Sequence, residues 1–148
     1  MITIEQLEEL SNRARAKYQA LLEQFPPGTV HSGRNDAYRE SEEAAVCAAW
    51  MKKQGIKALA NVGPFSTTHV ERGATVKVRK GAQIYSTHPS VPREGVQAKR
   101  AQQVKVHSVS KGYVDSRSAE TTVVQGQVHW AGAGGYWRWT DINNVEPL

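Results

Sequence analysis

The sequence holds few residues that could form a metal site. Of its five histidines, His31 stands alone in the first half. The other four, His69, His88, His107 and His129, are separated by 19, 19 and 22 residues, and no cysteine lies near them. Zinc sites usually include ligand pairs only about two to five residues apart. We therefore expect neither a metal site nor another cofactor.

Catalytic groupings are equally scarce. Cys47 lies among the small apolar residues 44–49, where a buried, unreactive side chain is more typical than a thiolate nucleophile. The serine hydrolase motif G-x-S-x-G is absent. Residues 132–135 (GAGG) follow a predicted strand but do not begin a helix, so they do not form a phosphate-binding loop. These observations predict a protein that is not an enzyme.

Basic residues are unevenly distributed along the chain. Residues 1–70 contain eight Lys and Arg and eight Asp and Glu, whereas residues 71–148 contain eleven against six and supply the whole net charge of +5. A basic half favours an anionic partner, either nucleic acid or an acidic protein surface. The charge could instead only keep a small β-domain in solution.

Three of the four tryptophans, Trp130, Trp137 and Trp139, lie near the end of the sequence. Small β-domains bind single strands by stacking bases on aromatic rings while Lys and Arg contact the backbone. Alternation places Trp137 and Trp139 on one face of a strand, and we expect both in or beside the core. Tyr136 and Arg138 lie on the other face and are expected to point outward. Because the same residue types form hot spots of protein interfaces, a protein partner stays open.

The predicted contact residues combine the basic and the aromatic features. They are Arg79, Lys80, Arg93, Lys99, Arg100, Lys105, Tyr136 and Arg138, with His88 as a further contact from a loop. For His88, a role in stabilising its own Ser- and Thr-rich turn is favoured over contact with a partner. We expect the polar loop 86–101 to reach the end of the last hairpin, so that the charges and the aromatic residues form one site.

The first helix is predicted from a capping box of Thr3 and Gln6. Apolar residues then recur every three or four positions as far as Phe25, and Pro26 and Pro27 end the pattern. The amphipathic pattern indicates that this helix packs on another element.

A second helix is expected from a cap at Asn35 or Asp36 to about Lys53, with Gly55 as its stop. Its predicted buried face is made of Tyr38, Ala45, Val46, Ala49 and Trp50. The two helices would form a helical hairpin.

From residue 74 the apolar period changes to two, which indicates strands. The expected strands are residues 75–80, 83–85, 103–109, 121–130 with a bend at Gly126, and 136–140; residues 132–135 would turn the last two into a hairpin. The fold class is therefore α+β, with an N-terminal helical hairpin packed on a small antiparallel β-barrel. The predicted parts are residues 1–55 (hairpin), 56–70 (connection) and 71–148 (barrel).

Two fragments resemble a known family. GATVKVRKG, residues 73–81, resembles the opening strand of KOW and other Src-homology-three-like barrels, and YWRWTDINNVEPL, residues 136–148, resembles their end, where an aromatic strand passes through a tight helical turn into a last short strand. The resemblance implies such a barrel in the second half and has no counterpart for the helices. The compact chain also has the general look of a phage or mobile-element protein.

We therefore predict a non-enzymatic binding protein whose basic barrel face contacts nucleic acid or a nucleoprotein complex. The alternatives are a protein-interaction module, such as a phage-type inhibitor or adaptor for an acidic surface, and a homo-oligomeric structural component. No apolar stretch is long enough to span a membrane, and the acidic N-terminus does not resemble a signal peptide. With a single cysteine, the cytoplasm is the expected location.

Overall fold

A computed structural model describes residues 1–117 and 119–148. These residues form a mixed α+β protein that divides into two compact units. The first unit contains Met1–Leu59 and Val114–Val123, and the second contains Ala60–Tyr113 and Val124–Leu148. Residues 60–70, expected as a connection, thus belong to the second unit, and the first unit includes a segment from within the expected barrel.

Two α-helices, fourteen short strands and two 3₁₀ turns, Ala133–Gly135 and Ile142–Asn144, make up the secondary structure of the described residues. The helices are α1 (Ile4–Gln24) and α2 (Ser32–Gln54). The strands are β1 (Ile2–Thr3), β2 (Ala58–Leu59), β3 (Asn61–Val62), β4 (Phe65–Ser66), β5 (Thr75–Val78), β6 (Gln83–Ser86), β7 (Val96–Gln97), β8 (Gln102–Lys105), β9 (Ser108–Ser110), β10 (Tyr113–Asp115), β11 (Thr122–Val124), β12 (Gln127–Ala131), β13 (Trp137–Asp141) and β14 (Val145–Pro147).

Helix α1 begins at the predicted capping box. The Thr3 hydroxyl accepts a hydrogen bond from the Gln6 N–H at 3.1 Å, and the Gln6 side chain accepts one from the Thr3 N–H at 3.0 Å. These two bonds satisfy backbone donors that have no partner inside the helix. The predicted helix start is therefore confirmed.

Helix α2 begins earlier than expected, and the predicted cap at Asn35 or Asp36 is wrong. His31 is the N-cap, because its Nδ1 accepts a hydrogen bond from the Arg34 N–H at 3.0 Å. The His31 ring also stacks on Phe25, with ring centroids 4.0 Å apart. An imidazole nitrogen can thus accept the capping bond that Ser, Thr, Asn or Asp usually accepts.

The predicted buried face of α2 is also wrong. The residues that are buried recur at steps of four or three and are Ala37, Ser41, Ala44, Ala48 and Met51, together with Cys47, whereas Tyr38 is exposed. Small side chains on this face let α1 approach closely. The Ser11 hydroxyl donates to the Ser41 carbonyl at 2.9 Å, and the Ser41 hydroxyl donates to the Ser11 carbonyl at 3.1 Å. Gly55 ends the helix in the left-handed conformation, as predicted.

Two further strand pairs are short. Strand β1 pairs antiparallel with β2, next to the start of α1, and β10 pairs with β11.

In the described part of the chain, neither helix combines the length and the apolar content needed to cross a membrane.

The second unit is built from antiparallel sheets. One sheet has five strands in the order β7-β6-β13-β12-β9, and another has three in the order β14-β5-β8. A smaller pair joins β3 and β4. Buried side chains from both larger sheets and from the segments that connect their strands form one cluster: Val76, Val78, Ala82, Ile84, Val104, Val106, Val128, Trp130, Ile142 and Val145.

The expected strand 103–109 is divided between the two larger sheets. Strand β8 pairs with β5, and β9 pairs with β12. At the junction the Val106 N–H donates to the Ala74 carbonyl, and the His107 N–H donates to the His129 carbonyl. The chain therefore changes sheets within two residues.

A closed barrel is not found among the described residues. Strands β7 and β9 are the edges of the five-stranded sheet, and β14 and β8 are the edges of the three-stranded sheet. The hydrogen-bonded ladder stops where β8 passes into β9. The structure thus supports the coarser expectation of a mixed α+β fold with antiparallel sheets.

Candidate functional site

The register of the β12–β13 hairpin decides which tryptophans are exposed. Val128 pairs with Thr140, and Trp130 pairs with Arg138. Val128, Trp130 and Thr140 are buried, so this face of the hairpin points inward. Trp137 and Trp139 alternate with Arg138 and Thr140 and therefore lie on the outer face.

The prediction that Trp137 and Trp139 lie in or beside the core is wrong, because both are on the outer face. Trp130 fills the core, with 4% of its surface exposed, whereas Trp137 is 41% exposed and Trp139 is half-buried. Arg138, expected to point outward, is half-buried on the face of Trp130. The alternation was identified correctly, but it cannot tell which of the two faces is the inner one.

Three aromatic rings form a ladder across the outer face of the five-stranded sheet. Trp139 is paired in register with His129 on one side and with Tyr85 on the other. Its ring centroid lies 5.7 Å from that of His129 and 5.9 Å from that of Tyr85, and both pairs are stacked with interplanar angles of 19°. Both faces of Trp139 are thus covered, so this ring holds the ladder together.

Within the ladder, His129 favours its neutral form. Burial lowers the pKa of His129 below its ordinary value, and the nearby His107 lowers it further. A neutral imidazole at neutral pH stacks on Trp139 without bringing a buried charge into the ladder.

Trp137 continues this outer face towards the hairpin turn. Its ring contacts the exposed His107, with centroids 4.5 Å apart. Its backbone is fixed by Thr87, whose hydroxyl accepts from the Trp137 N–H at 3.0 Å and whose N–H donates to the Trp137 carbonyl. The strand therefore holds a large exposed ring in a defined position.

A basic groove of about 570 Å³ lies beside these rings in the second unit. Its lining residues are Arg72, Gly73, Gln102, Gln103, Val104, Lys105, Val106, His107, Trp130, Ala131, Gly132, Ala133 and Arg138. Three of them are permanent cations and none is acidic. His107 both lines the groove and contacts Trp137, so it links the groove to this exposed ring.

Among the described residues, no carboxylate forms an ion pair with any of the three cations of the groove, Arg72, Lys105 and Arg138. The whole second unit contains ten Lys and Arg against four Asp and Glu, a formal charge of +6, while the first unit contains nine against ten. An anion in the groove would therefore meet no fixed negative charge on its walls.

Gly132 makes room for the Arg138 side chain. A Cβ atom on Gly132 would lie 2.6 Å from Arg138 Nε and 2.8 Å from Arg138 Cδ. Gly132 itself has φ −90° and ψ 179°, a backbone conformation open to any residue. The glycine thus leaves space for the Arg138 side chain in this position, and no left-handed turn requires it.

The predicted contact residues fall into separate groups. Lys105 and Arg138 line the groove. Arg79 is held by an ion pair to Glu146 at 2.8 Å and donates to the Asn143 carbonyl at 3.0 Å. The other four basic residues, Lys80, Arg93, Lys99 and Arg100, are exposed and do not line the groove.

Tyr136 and His88 contact one another edge to face, with centroids 4.4 Å apart. Nδ1 of His88 also accepts a hydrogen bond from the Ser90 N–H at 3.0 Å, so the ring closes its own turn. Tyr136 is exposed, as predicted.

Sequence reasoning missed Arg72, His107 and the exposure of Trp137. One signal was present for His107, because the buried Val104 and Val106 alternate with Lys105 and His107. Arg72 precedes β5 in an irregular segment, where no periodicity indicates a direction.

Cys47 is unsuited to nucleophilic chemistry. Its side chain is fully buried, and burial, with a smaller contribution from Glu43, raises the pKa of the thiol from 9.0 to about 12. In the part of the chain that the structure describes, no three His, Cys, Asp or Glu side chains are grouped as metal ligands.

Comparison with known proteins finds no family model, no curated protein and no solved structure that matches this chain.

Proposed function

We propose that this protein is a non-enzymatic binding protein that contacts single-stranded nucleic acid through its second unit. The observation that carries the proposal is the exposed Trp137 ring, held against His107 on the outer face of a unit with a formal charge of +6. Single-strand binding requires both an accessible ring and a positive surface.

The aromatic arrangement supports stacking on particular rings. Trp139 is covered on both faces by Tyr85 and His129, whereas Trp137 and Tyr136 keep exposed surface. A tryptophan ring left 41% exposed on a sheet loses the benefit of burial, which binding of a flat apolar partner would restore. Stacking of one base on such a ring contributes about 1–3 kcal/mol.

The Src-homology-three-like character of the second unit is part of the proposal. Its support is the passage of the aromatic strand β13 through the 3₁₀ turn Ile142–Asn144 into β14, which pairs with β5. Strand β5 lies in the fragment GATVKVRKG. A phage origin is proposed on the general look of the sequence alone, and a cytoplasmic location on its single cysteine.

The test is a fluorescence-anisotropy titration with labelled single-stranded DNA, single-stranded RNA and duplex DNA at low and moderate salt. We expect single strands to bind more tightly than duplex, and salt to weaken binding. Trp137→Ala should weaken binding by about tenfold or more, the loss of one stacked base. Tyr113→Ala is the matched control, since Tyr113 is an exposed ring of the same unit that contacts neither Trp137 nor the other aromatic rings described above.

If the native protein binds none of the three nucleic acids at low salt, this function is refuted. In that case a pull-down from nuclease-treated lysate becomes informative. A partner with an acidic surface that is retained by the native chain and lost with Trp137→Ala would favour the protein-interaction alternative.

A further inference from the structure

We infer that the groove formed by Arg72, Lys105 and Arg138 is a phosphate subsite, which holds a phosphate of the strand whose base stacks on Trp137. This inference rests on the proposed function and deepens it, because it assigns the backbone contact to one place on the second unit. The first reason is charge: three permanent cations line the groove, and no acidic residue does.

The second reason is that these cations come from three separate segments. Arg72 precedes β5, Lys105 ends β8, and Arg138 lies in β13. The Gly73 N–H donates to the Val106 carbonyl at 2.8 Å, which fixes the segment of Arg72 beside the end of β8. Like charges brought together in this way repel one another, so a bound anion would stabilise the arrangement.

The third reason is the chemistry of Arg138. Its side chain is half-buried, makes no ion pair with a carboxylate among the described residues, and passes close over Gly132. Its guanidinium presents a planar set of donors suited to phosphate oxygens.

The fourth reason is the link between the groove and the exposed Trp137 ring. His107 both lines the groove and contacts Trp137. The backbone of a strand whose base stacks on Trp137 would therefore meet the groove next to this histidine. The phosphate could be an internal phosphodiester or a terminal phosphomonoester.

The experiment measures the salt dependence of affinity for a labelled single-stranded oligothymidylate. Arg138→Gln and Lys105→Gln should each lower the slope of log Kd against log salt by about 0.7, the value for one lost contact with a single strand. Lys77→Gln is the control: it removes the same charge from an exposed position of the same unit that does not line the groove. We expect that variant to leave the slope close to that of the native protein.

Gly132→Ala provides a second variant that keeps every charge. The added methyl group should displace Arg138 and weaken binding several-fold with an unchanged thermal midpoint, because the backbone at this position accepts alanine.

Oligonucleotides with and without a 5′-phosphate distinguish a terminal phosphate from an internal phosphodiester as the bound group. An affinity gain from the 5′-phosphate that Arg138→Gln abolishes indicates a terminal phosphate, and equal affinities indicate the internal backbone.

The inference is overturned if Arg138→Gln and Lys105→Gln change the salt slope no more than Lys77→Gln does. Should Trp137→Ala still weaken binding in that case, the proposed function stands and only the subsite fails. A native protein that does not bind the oligonucleotide at low salt would remove both.

Discussion

At the scale of single residues, Trp130 and Trp137 differ in burial, and this difference determines how much the removal of each ring lowers the free energy of unfolding. Trp130 belongs to the buried cluster of the second unit, whereas Trp137 lies on the outer face. Trp130→Ala should lower the free energy of unfolding by about 3–5 kcal/mol, since it leaves a cavity in the core. Trp137→Ala should lower it by less than about 1 kcal/mol. Urea denaturation of both variants measures the difference, and equal losses would contradict the assignment of faces.

Cys47 gives the stability of the protein a defined dependence on alkaline pH. The folded thiol has a pKa of about 12, against an ordinary value of 9.0, so the folded state keeps a proton that the unfolded state releases. This contribution to stability is fully present below pH 9.0 and is lost as the pH rises towards about 12.

The free energy of unfolding should therefore fall more steeply above pH 9.0 in the native protein than in Cys47→Ala. Denaturant titrations of both proteins at several alkaline pH values check this, because the other titrating groups are common to the two chains. Parallel curves would show that the thiol ionises in the folded state as easily as in the unfolded one.

At the scale of secondary-structure elements, local patterns predicted type and extent better than orientation. The capping box of Thr3, the stop at Gly55 and the alternation in β5, β6, β12 and β13 all identified real elements. Local patterns could not reveal that Val106 and His107 carry the chain from one sheet to the other, because the bend is fixed by backbone bonds to Ala74 and His129. The buried face of α2 was missed for a similar reason: the period alone does not show which face is covered, and Ala44, Cys47, Ala48 and Met51 are buried next to the predicted residues 45, 46, 49 and 50.

The same distinction holds for the candidate site. Lys105, Tyr136 and Arg138 were predicted because residue type alone suggested them, and the groove contains two of the three. Arg72 and Gly132 could not be found, as their roles depend on which distant segments meet. Lys80, Arg93, Lys99 and Arg100 were selected by charge alone and lie outside the groove.

A close approach between chain segments makes Gly112 indispensable to the second unit. A Cβ on this residue would lie 2.0 Å from the Gly63 carbonyl oxygen and 2.4 Å from the Val124 carbonyl oxygen, both of them backbone atoms. Gly112→Ala should therefore destabilise the unit by about 3 kcal/mol, the upper range for overpacking.

Gly81→Ala serves as the comparison for Gly112→Ala. Gly81 has φ +84° and open space around it, so alanine there pays only the left-handed strain of about 1–2 kcal/mol. Thermal unfolding followed by tryptophan fluorescence would rank the two variants. A smaller loss for Gly112→Ala than for Gly81→Ala would mean that the contacting segments separate easily.

At the scale of the whole molecule, the position of charge should matter more than its total. Reversing Lys99 and Arg100 to Glu changes the net charge by −4 within the basic unit, and reversing Lys53 and Lys57 to Glu makes the same change in the first unit. The first pair should weaken nucleic-acid binding at low salt through the long-range field, and less so at high salt. The second pair should have little effect, and neither should shift the thermal midpoint much, since all four side chains are exposed.

Anisotropy titrations of both double variants over a range of salt concentrations check this expectation. An equal loss of affinity in both would indicate that only net charge steers the ligand. In that case the division of charge between the two units would have no effect on nucleic-acid affinity.

The discontinuous first unit makes the order of synthesis important. Helices α1 and α2 leave the ribosome early, but residues 114–123 of the same unit follow only after residues 60–113 have been made. At about 5–20 residues per second, this interval lasts roughly 3–11 s. During that time the nascent helical pair has to remain in solution without its last segment, while most of the second unit emerges behind it. Translation speed across residues 60–113 therefore sets how long the half-finished first unit is open to wrong contacts.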